Sequence, residues 1–307
     1  MQIQAHTEMS KSSWGNSMTF TQLDIFARVA ELRGFTLAAT RLGISQSAVS
    51  HALKALEQEM GVELIHRHQA GVELTDIGAQ LLLRAQEILG LSETMRQEAA
   101  DARGMKRGTL RIGSFGPSAS MKLLPDILEH YRRTYPGIEV RIDEGTDQEV
   151  ISWIQERRVD VGFVVLPEDK LDTFVLCEDQ MVALLPADHP LVGAQHVSLG
   201  ELCDSPFIMT EAGSGPLLQR LFSAQKLAPN VLHRSAQLIS TLAMVEMGFG
   251  VSILAEQALP ERGSLHAKSY IKKMLSPPVT RRVGLAVLDE RQASPATRAF
   301  IRIAVDL

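Results

Sequence analysis

The feature that most constrains this chain is a single unbroken helical pattern at residues 76–104. Its apolar residues recur every three or four positions, at Ile77, Leu81, Ala85, Ile88, Leu91, Met95, Ala99 and Ala102. Such a helix is roughly 43 Å long, which exceeds the width of a small domain. No neighbouring segment obviously covers the stripe, so we expect a helix from a second subunit to pack against it. The alternative is that the helix packs on its own domain.

Composition bounds the class of protein without identifying it. The chain has 307 residues, too many for one small core, and no apolar run long enough to span a membrane. Its two cysteines form no disulfide framework, which indicates a cytoplasmic location. Residues 1–17 are polar, and we expect a disordered leader there rather than a signal peptide. A net charge of −5 gives no bulk indication of nucleic-acid binding, so that function must depend on local placement of charge.

Residues 18–75 have the pattern of three short helices and a hairpin. The first helix covers Thr21 to Leu32, and Thr36 can cap a second that stops at Gly43. Ser45 can cap a third helix, which runs to about Met60. Two helices joined by a tight turn predict a helix-turn-helix at about residues 35–54.

The third helix has two faces with different chemistry. One is an apolar stripe made by Val49, Leu53, Leu56 and Met60. The other is polar and carries Ser47, Ser50, His51 and Lys54. Side chains of this kind can reach base edges and phosphates when a helix lies in a major groove. A merely solvated face is the alternative.

The hairpin at Val62–Thr75 has its tip at Gln69-Ala70-Gly71, beside His66, Arg67 and His68. A wing of this kind can lie along a phosphate backbone. Two histidines without a nearby cysteine or acidic cluster are weak evidence for a metal site. We therefore expect no metal and no cofactor.

After a glycine-bounded break at residues 104–108, strands and helices alternate. This pattern predicts a two-lobed α/β effector domain over residues 106–307, and the first set of strands, at residues 109–166, is expected to be parallel. We place the first lobe at about 108–176 and 272–307, and the second at about 177–271. The long helix, taken as residues 76–105, then links this domain to the helix-turn-helix.

Residues 19–78 closely resemble the DNA-binding domain of the LysR-type transcriptional regulators. The matching positions are Leu23, Phe26, Val29-Ala30, Gly34-Phe35-Thr36, Ala38-Ala39, Leu42, Ser45 through Ser50, Leu53, Leu56-Glu57, Gly61, Leu64, Arg67, Leu74-Thr75 and Gly78. So many residue types at fixed spacing are far more specific than a lone motif. The sequence departs from the family at Ile65, where Phe is usual, and at Ala70, where a second Arg is usual.

The resemblance implies a winged helix-turn-helix, a dimerising linker helix and a two-lobed effector domain of periplasmic-binding-protein type. It implies promoter DNA, a small-molecule effector and a second copy of the chain as partners, in a homodimer or homotetramer. It places Ser45, Gln46, Ser47, Ser50, His51 and Lys54 on the recognition helix, with Arg67 and His68 at the wing.

The best candidate for effector binding is the turn Ser114-Phe115-Gly116-Pro117-Ser118, which leads from a strand into a helix. Free N–H groups at a helix N-terminus suit a carboxylate or another anion. The resemblance places effector contacts at this turn and at Thr146, while Thr210 and Gln237 are expected to face them from the other lobe. Simple helix capping is the alternative for each Ser or Thr. Phe115, Phe207 and Met209 are expected to wall the site or to lie in a core.

Three other functions are compatible with parts of the sequence. Cys177 and Cys203 raise a peroxide-sensing hypothesis, although neither has a basic neighbour in the sequence. The segment Glu211-Ala212-Gly213-Ser214-Gly215 invites a catalytic-serine reading but does not match G-x-S-x-G, so we expect no enzyme. The effector domain alone would also suit a non-regulatory binding protein.

Overall fold

The computed structural model describes residues 18–68, 71–102, 107–116, 118–211, 214–260 and 270–307. The chain divides into two compact units, residues 1–92 and 93–307. The expected leader, the hairpin tip Gln69-Ala70, Pro117, Ala212-Gly213 and most of the glycine-bounded break lie outside the described residues. Within them, no helix is both long and apolar enough to cross a membrane.

The first unit contains three short helices, a hairpin and the start of a long helix. The elements are α1 (Phe20–Leu32), α2 (Phe35–Leu42), α3 (Gln46–Met60), β1 (Ile65–His68), β2 (Gly71–Leu74) and α4 (Asp76–Asp101). Strands β1 and β2 pair antiparallel, as a wing requires.

Side chains fix where these helices begin. The Ser45 hydroxyl accepts a hydrogen bond from the Ala48 N–H at 3.1 Å, which confirms its predicted cap of α3. Thr19 and Gln22 form a reciprocal capping box at the start of α1. The predicted cap at Thr36 is wrong, because Gly34 is the N-cap of α2 and Thr36 lies inside that helix.

The apolar stripe of α3 packs against α1, α2 and the hairpin. Val49, Leu53 and Leu56 are buried there, as predicted. The prediction is wrong for Met60, which is 37% exposed. Met60 is the last residue of its helix, and the chain turns away at Gly61 in a left-handed conformation with φ of 68°.

Helix α4 packs on the hairpin over its first turns. Ala85 is buried in the core of the first unit, and Leu81, Leu82, Ile88 and Leu89 pack against that core. The approach requires Gly78, since a Cβ there would lie 1.9 Å from the Leu64 carbonyl oxygen. The expectation that nothing in the chain covers the stripe is therefore wrong for its first half.

The second unit holds the remaining elements. Its helices are α5 (Leu124–Thr134), α6 (Asp147–Gln155), α7 (Leu199–Cys203), α8 (Gly215–Ala224), α9 (Leu238–Glu246) and α10 (Pro295–Asp306). Its strands are β3 (Gly108–Phe115), β4 (Ile138–Gly145), β5 (Val161–Leu166), β6 (Asp172–Pro186), β7 (His196–Val197), β8 (Pro206–Thr210), β9 (Asn230–Ser235), β10 (Ser252–Ala255), β11 (Tyr270–Leu275) and β12 (Thr280–Val287). A π-helical turn at Ser118–Leu123 precedes α5.

These strands form two lobes connected through β6. Its first half pairs with β12 in the first lobe, and its second half pairs with β10 and β11 in the second. The first-lobe sheet has the order β4-β3-β5-β12-β6. Strands β3, β4 and β5 run parallel, whereas β12 runs antiparallel to both of its neighbours. The parallel strands predicted over residues 109–166 are confirmed, and the antiparallel β12 makes the first-lobe sheet mixed.

The chain returns to the first lobe later than the sequence indicates. Strand β11 pairs with β6 and β7 of the second lobe, and Leu275 is buried in the second-lobe core. The return therefore falls between β11 and β12, at residues 276–279, rather than at about 272. Each lobe has its own core, in which Tyr131 meets Phe300 in the first and Phe207 meets Phe222 in the second.

Candidate functional site

The first candidate site is the face of α3 that points away from the core of the first unit. Gln46, Ser47, His51 and Lys54 are exposed there, and Ser50 is half-buried. The Ser45 hydroxyl caps the helix and lies 2.9 Å from the Ser47 hydroxyl. Ser45 is therefore already used in capping α3. The sequence thus correctly predicts an open polar face, with one cation at Lys54.

The hairpin carries the two residues that the resemblance places at the wing, Arg67 and His68. The His68 ring lies 3.9 Å from the Glu73 carboxylate across the two strands. Nothing is described of the Arg67 side chain, and Ala70 lies outside the described residues. Among the described residues, no three His, Cys, Asp or Glu side chains are grouped as a metal site would need.

The second candidate site lies where the two lobes meet, and its centre is Arg281. This guanidinium is almost wholly buried and donates to the Asp179 carboxylate at 3.0 and 3.3 Å. It also donates to Ser118 Oγ of the first lobe at 2.7 Å and to Ser214 Oγ of the second at 3.1 Å. Arg281 therefore connects the start of a helical segment in each lobe to the strands that join them.

Burial and pairing shift the pKa of Arg281 in opposite directions. Desolvation lowers its pKa, and the adjacent Asp179 carboxylate opposes that shift. The two residues are directly opposite one another in the β6–β12 register. Since 102 residues separate them along the chain, sequence spacing gives no indication that they pair.

The turn predicted to bind an anion is occupied by the protein itself. Ser114 is fully buried, and its hydroxyl lies 2.8 Å from that of Ser120. Ser118 is 2% exposed and accepts from Arg281, whose guanidinium lies over the Phe115 ring at 5.7 Å. Gly116 adopts a left-handed φ of 53°. No hydroxyl of this turn faces open space, so the turn does not support the expected anion site.

The other predicted effector contacts divide between the lobes: Thr146 lies in the first, and in the second Thr210 is opposite Ser235, two residues before Gln237. The Thr146 hydroxyl forms a capping box with Glu149 at the start of α6, which is the capping alternative. Thr210 is fully buried at the end of β8. Gln237 is exposed at the start of α9 and does not cap it with its side chain. Phe115, Phe207 and Met209 belong to the lobe cores rather than to a binding wall.

A cavity of about 420 Å³ opens between α6 and the end of β5 in the first lobe and α8 in the second. It is lined by Asp147, Gln148, Ile151, Val165, Pro167, Glu168, Ser214, Pro216, Leu217, Gln219, Arg220 and Ser223. Its size lies within the range of about 300–1,000 Å³ that small-molecule sites occupy. Thr146, a predicted effector contact, directly precedes Asp147 at this edge of the cavity, whereas the charged lining was not predicted.

Asp147 is the buried charge of this cavity. It is 6% exposed, and desolvation raises the pKa of its carboxyl group. Hydrogen bonds from its own N–H and that of Gln148 oppose the shift, as do the more distant charges of Arg281 and Arg220. A polar residue at the first position of α6 was a visible signal, but its burial depends on the opposing lobe.

The two thiols are poorly suited to peroxide sensing. Burial raises the pKa of Cys177, and the Asp179 carboxylate raises it further. Burial likewise raises the pKa of Cys203, whose Sγ contacts the Leu199 carbonyl. A raised pKa leaves less of the reactive thiolate at neutral pH.

Comparison with known proteins identifies both units. Residues 20–79 match the model described as "Bacterial regulatory helix-turn-helix protein, lysR family", and residues 103–307 match "LysR substrate binding domain". The chain belongs to the LysR family of transcriptional regulators. It is a DNA-binding regulator with an effector-binding domain, and this family binds promoter DNA and small-molecule effectors and forms oligomers.

Similar LysR-type proteins cover nearly the whole chain. The uncharacterized regulator YvbU of Bacillus subtilis is 33% identical over 94% of this chain and 99% of its own length. A probable hydrogen peroxide-inducible genes activator of Mycobacterium avium is 30% identical over 87% of each chain. A solved full-length OxyR variant from Pseudomonas aeruginosa superposes with a TM-score of 0.70 at 24% identity, over 94% and 97% of the chains, and supports the fold alone.

Proposed function

We propose that this LysR-type regulator reads its operator through the exposed face of α3 and responds to a small molecule held between its lobes. The recognition surface comprises Ser47, Ser50, His51 and Lys54, with Gln46 beside them and Ser45 capping the helix. Arg67 and His68 of the hairpin contact the DNA backbone. The effector site is the cavity between α6 and α8.

The observation that supports DNA recognition by α3 is that one face of this helix is buried and the opposite face is polar and exposed. Val49, Leu53 and Leu56 hold the helix in the core, and the opposite face is polar and uncovered. Residues 18–75 carry five basic and six acidic side chains, so bulk charge provides little non-specific affinity. Specific binding therefore depends on base contacts and on two half-sites read by a dimer.

The effector domain acts as a sensor and not as an enzyme. Ser214, the serine of the Gly-Ser turn, accepts a hydrogen bond from Arg281, and the sequence around it is not that of a nucleophile elbow. Because its partner is promoter DNA, we propose that the protein acts in the cytoplasm. We expect any molecule that binds the cavity to be released unchanged, which mass spectrometry of a long incubation would check.

The DNA assignment is tested by selecting binding sites from a random duplex library with the full-length protein. Kd is then measured for Ser47→Ala with His51→Ala. We expect a loss of at least about 10-fold for the selected site, because each base contact contributes about 1–3 kcal/mol. A matched control, Ser152→Ala with His196→Ala, changes the same residue types at exposed positions of the second unit. Equal affinity of both double variants for the selected site would refute the assignment.

A further inference from the structure

The lining of the cavity between α6 and α8 carries opposite charges supplied by the two lobes. Asp147 and Glu168 come from the first lobe, and Arg220 comes from the second. Two carboxylates against one guanidinium make the described lining a poor site for a simple anion. The same lining has hydroxyl and amide groups at Ser214 and Gln148.

The Asp147 carboxylate is buried without a cationic side chain within ion-pair distance, in the part of the chain that the structure describes. The backbone N–H groups of Asp147 and Gln148, at the start of α6, favour its charged form. A buried carboxylate can accept further hydrogen bonds, and a charged donor forms the strongest ones. An ammonium group entering the cavity would supply the missing partner.

Arg281 cannot take this role, because its charge is already committed. Its guanidinium bonds Asp179, Ser118 and Ser214, and it is buried on all sides. Arg220 is different, since it is exposed on the outer turns of α8 and lines the cavity. It is the cationic side chain of the described lining and can bind a carboxylate in bidentate fashion.

The cavity lining also includes apolar side chains from both lobes. Ile151 and Val165 lie on the first-lobe side, and Leu217 lies on the second-lobe side. A ligand that satisfied both ends would therefore carry an ammonium group, a carboxylate and a small apolar body. Since each end belongs to a different lobe, such a ligand would hold the lobes together.

We propose that the effector is a zwitterionic α-amino acid with an apolar side chain, whose ammonium group pairs with Asp147 and whose carboxylate pairs with Arg220. The proposal rests on the proposed function, because it assigns a chemical class to the effector of the same cavity. It replaces the simple anion that the Ser114–Ser118 turn indicated.

The test is a thermal-shift and calorimetric screen of the full-length protein against the twenty common amino acids. The strongest binder is then compared with two analogues, one lacking the amino group and one lacking the carboxyl group. For leucine these are 4-methylpentanoate and 3-methylbutylamine. We expect one or more apolar amino acids to raise the Tm, because a ligand of the folded state stabilises it. Each analogue should bind at least about 10-fold more weakly, because it leaves one charged end unpaired.

Variants locate the two ends of the ligand. Asp147→Asn should weaken binding at least about 10-fold, and Arg220→Gln about 3- to 10-fold, since Arg220 is exposed to screening. The controls are Asp126→Asn, an exposed carboxylate in the first turn of α5, and Arg132→Gln, an exposed cation on the same helix. Neither lines the cavity, so both should bind as the unmodified protein does.

Two results would overturn the proposal. The first is that none of the twenty amino acids raises the Tm of the folded protein. The second is that an analogue with only the carboxylate or only the amine binds as tightly as the amino acid. The analogue comparison uses the unmodified chain, so it stands even where Asp147→Asn fails to fold. If another class of molecule bound and changed operator affinity, the amino-acid class would be wrong while the proposed function survived. Operator recognition by α3 is tested independently of the ligand, by the operator Kd of Ser47→Ala with His51→Ala.

Discussion

Arg281 and Asp179 show how a single buried pair can organise two lobes. Each is about 1% exposed, and the guanidinium is shared among one carboxylate and two hydroxyls from different lobes. A buried ion pair contributes less than its geometry suggests, because both ions lose their hydration. Removing one partner costs much more, because the other charge remains buried and unpaired.

We therefore expect Arg281→Met to destabilise the effector domain by about 3–5 kcal/mol. Arg281→Met combined with Asp179→Leu should recover much of that loss, because no unpaired charge remains. Denaturant unfolding followed by circular dichroism measures both. The exposed pair Arg133 and Glu129 is the control, and Arg133→Met should cost about 1 kcal/mol or less. A double variant that is less stable than Arg281→Met would contradict this account.

The thiols give a prediction with a defined pH dependence. Because the pKa values of Cys177 and Cys203 are raised above the ordinary 9.0, the thiol form dominates at neutral pH. Alkylation by iodoacetamide should be slow at pH 7 and should still be rising at pH 9, as the thiolate fraction grows. Mass spectrometry of each cysteine follows the reaction. Rapid modification of either residue at pH 7 would restore peroxide sensing as the leading alternative.

The sequence best predicts the elements whose ends are fixed by residues close in the sequence, such as helix caps. Helix α3 begins directly after its predicted cap, Ser45, and ends at Met60 as predicted. The return to the first lobe was placed too early, because β11 is created by pairing with β6, a partner distant in the sequence. The Arg281 network was missed for the same reason, and the charged cavity needs both lobes in place.

Beyond Ile88, the apolar stripe of α4 has two strongly exposed residues, one in each compact unit. Leu91 is 41% exposed and Met95 is 70% exposed, although both continue the stripe that packs well at Ala85. A second α4 is the partner of matching pattern and length.

We expect Leu91→Glu with Met95→Glu to convert the oligomer to a smaller species, because four carboxylates per dimer would enter an apolar interface. Sedimentation velocity measures the change. Leu83→Glu is the control, since Leu83 is 47% exposed on α4 but lies off the stripe. Dissociation by the control alone would place the interface on another face of the helix.

At the scale of the whole molecule, the two units carry separate tasks. The first presents a polar helix face, and the second encloses a cavity whose charges come from two lobes. Regulation requires that ligand binding in one changes DNA binding by the other. Couplings of this kind are usually about 1–3 kcal/mol, which corresponds to about 5- to 150-fold in affinity.

The most direct measurement is the Kd of the full-length protein for its selected operator, with and without a ligand that stabilises the effector domain. We predict a change of at least about 5-fold in the presence of saturating ligand. At a ligand concentration that just saturates the unmodified protein, Asp147→Asn should reduce this change, because it weakens ligand binding, and should leave ligand-free operator binding intact, because Asp147 lines the cavity of the second unit. An operator Kd that stays constant while the ligand saturates the protein would contradict the central claim that this cavity controls DNA binding.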